Sequence, residues 1–129
     1  MHIDVWASTR EAIQHFEVAL EIASSFNWHN QLFRIHRTLA KLFLDEQWFD
    51  DAQDHIERAK SPATNSTYYL GRTMHVQAEL WYKQDRLQEA RAEALRAIDV
   101  YEKLGAVRDL KMCRRLLRVI ERKTVKQDS

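Results

Sequence analysis

Residues 39–59 read LAKLFLDEQWFDDAQDHIERA. Ala52, Ile56 and Ala59 recur in it at offsets of four and three, which sets their side chains on one face of a helix. Leu39, Ala40 and Phe43 mark a second helix upstream, and the polar Asp45-Glu46-Gln47 lies between the two. The stretch reads as two antiparallel helices joined by a short turn. The alanines matter physically, because a small side chain lets a neighbouring helix come close. A larger one would overpack the contact at about 1–3 kcal/mol.

Outward from this stretch the same face returns on both sides. Ala12-x-x-x-Phe16-x-x-Ala19 precedes it and Ala90-x-x-x-Ala94-x-x-Ala97 follows, with starts 40 and 38 residues from Ala52. Ala78 and Trp81 stand ahead of Ala90 as Ala40 and Phe43 stand ahead of Ala52, and Gln84-Asp85-Arg86 supplies the turn. In the third copy Ala94 occupies the large-residue position, so Leu95 or Ile98 is expected to fill that space. Self-similarity at this period marks stacked helical units.

Composition agrees. Two glycines and one proline in 129 residues are too few for the turns a sheet protein needs, and helix formers dominate. With 45% hydrophobic and 30% charged residues the chain can build a core under a polar surface. The class is all-α. The patterning predicts helices over 9–26, 30–45, 48–60, 66–84, 86–104 and 106–123. Ser8-Thr9-Arg10-Glu11 reads as a capping box opening the first helix. Gly105 reads as a C-cap. The first helix is apolar on more than one side, through Ile13, Phe16, Val18, Leu20, Ile22 and Phe26, so it calls for neighbours on both sides. Trp6 and Ile3, a second subunit, or preceding units of a longer array would supply the cover.

Here the chain resembles the tetratricopeptide repeat (TPR) family, whose pattern places a small residue and an aromatic in helix A and Ala, a large apolar residue and Ala in helix B. The second unit carries this through Leu39, Ala40, Phe43, Ala52, Ile56 and Ala59, with Pro62 near its end. The third carries it through Ala78, Trp81, Ala90 and Ala97. The period exceeds the family's usual 34 residues, as in the long TPRs of signalling scaffolds. HEAT-type repeats are the structural rival, and the aromatics Phe43 and Trp81 favour TPR. More loosely, residues 30–123 resemble the C-terminal TPR tails of NB-ARC and NACHT signalling NTPases. The resemblance implies an α-α superhelix of about two full repeats, a partial N-terminal repeat and a C-terminal capping helix. It would form one domain over 1–123, with units about 1–28, 29–64 and 65–104, a cap at 105–123 and a disordered tail at 124–129.

It also implies function. The family's A helices line a groove, and the matching positions are Arg34, Arg37, Thr38, Lys41 and Leu44 in the second unit. The third unit supplies Arg72, His75, Val76, Glu79 and Tyr82, and the last helix Lys111, Arg114, Arg115 and Arg118. Such a groove is dominated by cations, with Tyr82 as an aromatic contact, and suits a protein or peptide segment rich in carboxylates. Lys41 and Glu79 stand where the family's chaperone-tail clamp uses asparagine, which argues against that ligand. The alternative is self-association, a homodimer through the N-terminal helix.

Chemistry is thin by contrast. Gly71 and Gly105 build no phosphate loop, and no paired Cys-x-x-Cys or His-Glu-x-x-His occurs. Asp51 with His55, or His29 with His36, could share a metal, but a third ligand is missing from either pair. Cys113 falls on the apolar stripe of the last helix with Leu110, Leu116, Leu117 and Ile120, so core packing is its expected role. No enzyme, cofactor or metal site is expected.

Charge is segregated along the chain. Residues 45–57 carry six acids and no lysine or arginine, whereas 108–126 carry eight bases against Asp109 and Glu121. Nucleic acid is not the expected partner, because the net charge is only +1 and the basic last helix has no interleaved aromatics. One cysteine and no apolar leader or long apolar run place the chain in the cytoplasm as an expectation, away from membranes. Asn65-Ser66-Thr67 fits a glycosylation acceptor by chance in that setting.

Overall fold

The computed structural model describes residues 5–64 and 66–128, with side chains from Ser8 onward. These residues form six helices, α1 (Val5–Ser25), α2 (His29–Asp45), α3 (Phe49–Ala63), α4 (Thr67–Lys83), α5 (Leu87–Leu104) and α6 (Val107–Asp128). No strand occurs among the described residues. The chain divides into two compact units, Met1–Pro62 and Ala63–Ser129, where the sequence reading expects one domain. None of the helices among the described residues is long and apolar enough to cross a membrane.

Four of the five connections are built alike. Asn27, Gln47, Asp85 and Gly105 each adopt a positive φ of 52–68° just past a helix end. The next residue then reaches back, with Trp28 N–H to Ala23, Trp48 to Phe43, Arg86 to Trp81 and Ala106 to Tyr101, all at 2.8–3.0 Å. This is the Schellman closure, which satisfies carbonyls that the helix end would leave orphaned. The same residue's carbonyl accepts the first bond of the next helix, from Leu32, Ala52, Ala90 and Leu110 respectively. Two or three residues outside the helices therefore suffice to reverse the chain. Gly105 is the C-cap expected from the sequence. The other three positions carry side chains in a conformation that glycine tolerates best.

The fifth connection differs. α3 runs through Pro62 to Ala63, because a proline in the last turn forfeits only one backbone bond. α4 then opens on Ser66, whose hydroxyl accepts from the Tyr69 N–H at 3.2 Å. Asn65, and with it the glycosylation motif, lies outside the described residues, as does Ile3, and the Trp6 side chain is not among those described.

In the first unit the core runs through Phe33, Leu39, Ala40, Phe43 and Leu44 of α2 and Ala52, Ile56 and Ala59 of α3. α1 contributes Ile13 and Ala23, whereas Ala12, Phe16 and Ala19 of the first alanine copy are only half-buried. The helix also begins earlier than the capping box suggests. Ser8 and Thr9 lie within α1, and Thr9 Oγ1 donates to Glu46 Oε1 at 3.1 Å instead of capping. Once a helix is nucleated each added residue gains a backbone bond, so the upstream turn joins it.

In the second unit Ala78 of α4 meets Ala90, Ala94 and Ala97 of α5 in one cluster with Ile98, Tyr101, Cys113 and Ile120. All four alanines are fully buried. Gly71 extends the seam, for a Cβ there would lie 2.9 Å from Val100 Cγ1 and 3.1 Å from Tyr101 Cε1. Ile98 and Tyr101 fill the space beside Ala94, while Leu95 points outward. α6 continues as helix to Asp128 where the sequence reading expects a disordered tail from 124. Thr124 Oγ1 donates back to the Ile120 carbonyl, and Gln127 is held by Asp85.

Candidate functional site

α4 and α6 lie side by side in the second unit and run in the same direction. At their N-terminal ends Tyr68 donates its hydroxyl to Asp109 Oδ2 at 2.9 Å. At their C-terminal ends Lys123 Nζ sits 4.9 Å above the Tyr82 ring and 3.1 Å from Asp85 Oδ1, to which Gln127 also donates. Asp85 owes its place to the α4–α5 turn, where its positive φ turns the carboxylate toward α6. The bonds from Lys123, then Gln127, hold that carboxyl below its usual range.

Between these clasps lies the face of α4 named from the sequence. Arg72 stacks over Tyr68, its guanidinium carbon 5.7 Å from the ring centroid. His75 Nδ1 is 3.3 Å from the Tyr101 hydroxyl, and its Nε2 is 3.8 Å from Glu79. Burial, aided by the negative charge of Asp109, raises the Tyr101 pKa, so this hydroxyl stays protonated and can donate to His75. Arg72, His75, Glu79 and Tyr82 are all half-buried on one stripe of the helix.

On α6 the structure sorts the expected cations. Arg115 lies four residues before Val119 and seven before Arg122, on the flank that turns toward α4. Arg114 turns the other way and pairs with Glu102 of α5 at 2.9 Å. Arg118 borders two depressions lined by α6 itself, one with Lys111 and Arg114 and one with Glu121, Arg122, Val125 and Lys126. Their places beside α4 are taken by Val119, Arg122, Lys123 and Lys126, which with Tyr82 line a depression of about 420 Å³. The signal was present in the sequence. With Cys113 and Ile120 on the buried axis, a helix of about 100° per residue puts 115, 119, 122, 123 and 126 on one flank and 114 and 118 on the other.

In the first unit Arg34, Thr38 and Lys41 form one stripe of α2, Arg34 exposed and the other two half-buried, with Arg37 half-buried beside it. Thr38 donates its hydroxyl to the Arg34 carbonyl at 2.8 Å, and Lys41 pairs with Asp45 at 3.6 Å. Both features stiffen the stripe without consuming Arg34.

The sequence reading missed one cluster altogether. His36 of α2 and His55 of α3 meet Nδ1 to Nδ1 at 3.0 Å, both more than nine-tenths buried. Phe43 stacks flat on His55 at 5.5 Å, and Trp48 stacks on Phe43 at 5.7 Å. Desolvation, followed by the charge of its His55 neighbour, lowers His36 from 6.5 to about 4, and desolvation followed by Arg58 lowers His55. The sequence reading pairs His36 with His29 and His55 with Asp51, each along one helix. The actual partners come from two helices, and the offset of 19 residues carries no periodic signal. Among the described residues no three His, Cys, Asp or Glu side chains converge as a metal site would require. Cys113 is fully buried and donates to the Ala94 carbonyl, with its pKa pushed up to about 12 by burial. A thiol so placed is core, as its position on the stripe suggested.

No protein-family model, curated protein or solved structure matches the chain.

Proposed function

We propose that the chain is a protein-interaction module of the TPR kind, and that the α4–α6 face of its second unit holds an acidic peptide segment. The observation that carries this is the lining of the α4–α6 depression. Arg122, Lys123 and Lys126 surround Tyr82 and Val119, with no carboxylate among the lining residues. Lys123 is engaged by Asp85 and the Tyr82 ring, so it fixes the floor. Arg122 and Lys126 sit at the rim, where charge-assisted bonds to carboxylates form at least desolvation cost. Tyr82 and Val119 offer an apolar contact for a residue between the acids.

A ligand that alternates acidic and apolar side chains, read from an A-type helix face, fits this chemistry. A TPR module of this kind would work as a scaffold in the cytoplasm, or as the sensor tail of a larger signalling NTPase. Fluorescence anisotropy with a labelled peptide of Asp and Glu residues around a single Leu or Phe tests the reading. Arg122→Glu with Lys126→Glu is expected to weaken binding at least about tenfold, and wild-type affinity is expected to fall as salt rises. Equal affinity for wild type and the double variant would refute it.

A further inference from the structure

The first unit carries a surface of its own. On α1 and the turn that follows it, Val18, Ile22 and Phe26 recur every four residues, with 58%, 48% and 64% of their surface exposed. Trp28, itself exposed, stacks on Phe26 with ring centroids 5.1 Å apart, so the stripe ends in an aromatic pair. Large apolar side chains grouped in this way mark a contact surface, whereas scattered ones do not. Its charged surroundings are acidic. Glu11 continues the stripe eleven residues before Ile22, and Glu17 and Glu21 flank it, while Arg10 is the one Arg or Lys that α1 carries.

The outer flank of α6 has the opposite character. Val107, Lys111, Arg114, Arg118 and Val125 follow at steps of four, three, four and seven, which again gives one stripe. Val107 and Val125 are 74% and 69% exposed; Lys111, Arg114 and Arg118 border a depression beside Val107, and Arg118, Arg122 and Lys126 with the single acid Glu121 border one beside Val125. The arginine stems extend the apolar surface while their heads stay in water.

We infer that a second copy of this chain is the occupant, with the apolar, acid-flanked stripe of α1 on one molecule docking against the basic outer stripe of α6 on the next. Complementary charge selects this pairing over α1 against α1, which would set Glu11, Glu17 and Glu21 against themselves, and over α6 against α6. The contact is head-to-tail, because the two surfaces that meet are different. The depression at Val125 shares Arg122 and Lys126 with the one at Tyr82, so the test changes Arg118 and Val125, which do not line the Tyr82 depression.

Sedimentation velocity on the full chain tests it, with helical content checked by circular dichroism. Wild type is expected to associate as concentration rises, and less so as salt rises. Val18→Arg with Ile22→Arg, and separately Arg118→Glu with Val125→Asp, are each expected to weaken association at least about tenfold. Because all four positions are on the surface, both variants should keep wild-type helicity. The decisive sample is the mixture of the two double variants. One blocks the α1 surface and the other the α6 surface, so one intact pairing remains. They are expected to form a 1:1 heterodimer that grows no further. A wild-type monomer at high concentration overturns the inference. So does association that survives the α6 changes, which would assign α1 to its own copy, or a mixture that stays monomeric. If removing residues 1–4 is needed to reveal association, those residues are the cover of the stripe and the inference also fails.

Discussion

With its two Nδ1 atoms 3.0 Å apart, the His36–His55 pair keeps a hydrogen bond only while at least one ring is neutral. Two imidazoliums would set two donors against each other in a buried place. His36 falls to about 4 when folded and His55 is lowered as well, so the unfolded chain binds more protons between about pH 6.5 and 4. Their contribution is therefore complete above pH 6.5 and is lost as pH falls toward 4. The slope can approach about 1.4 kcal/mol per pH unit for each histidine. Asp51 and Asp54 of α3 and Glu17 of α1 oppose the shift, and Arg58 adds to it. Urea midpoints measured from pH 7.5 to 4.5 should fall steeply in wild type and less steeply in His55→Phe. Matching curves for the two proteins would contradict this reading of the pair. Nothing in the sequence pairs residue 36 with residue 55, because the contact depends on how two helices cross. Cys113 could be placed from the sequence, because its burial follows from its own helix's stripe.

The helices themselves were legible from periodicity and turn chemistry, to within a few residues at most ends. What local pattern could not give was α1's early start and α6's length. Ser8 and Thr9 look like caps, yet a helix already nucleated takes them in. The last turns of α6 are held by Asp85 of another element, through Lys123 and Gln127. The repeated turn yields a test at this scale. Gln47 has φ 62° and an exposed side chain, so Gln47→Gly should relieve backbone strain and raise stability by about 0.5–1 kcal/mol. Asp85→Gly should gain less or lose, because it also removes the carboxylate that Lys123 and Gln127 hold. Thermal melts of the two variants separate these outcomes, and a destabilised Gln47→Gly would show that the turn tolerates its side chain without cost. The alanine seam gives a second test. Ala94 is fully buried against Cys113 and its neighbours, so Ala94→Leu should cost about 1–3 kcal/mol, whereas Ala92→Leu on the exposed side should be near neutral.

Across the molecule, charge segregation along the sequence becomes a division of surfaces. The acids of residues 45–57 are largely engaged within their own unit, through Lys41–Asp45, Asp54–Arg58 and Glu57–Lys60. The bases of α6 divide between the flank beside α4 and the outer flank. The basic character of the site could be read from the sequence, and the stripe of Cys113 and Ile120 already held the rotation that sorts the flanks of α6, but not which flank lies beside α4. Gly71 and Ala78 set the rotation of α4 in the same way, which leaves Arg72, His75, Glu79 and Tyr82 half-buried on one stripe.

Where an acidic ligand sits decides the role of the α4–α6 face. Titrating the isotope-labelled chain with an acidic peptide, and following amide and side-chain shifts by NMR, locates it directly. The expected result is saturable shifts centred on Tyr82, Val119, Arg122 and Lys126, absent in Arg122→Glu with Lys126→Glu. Shifts confined to other surfaces, or none at concentrations that saturate the anisotropy signal, would contradict it.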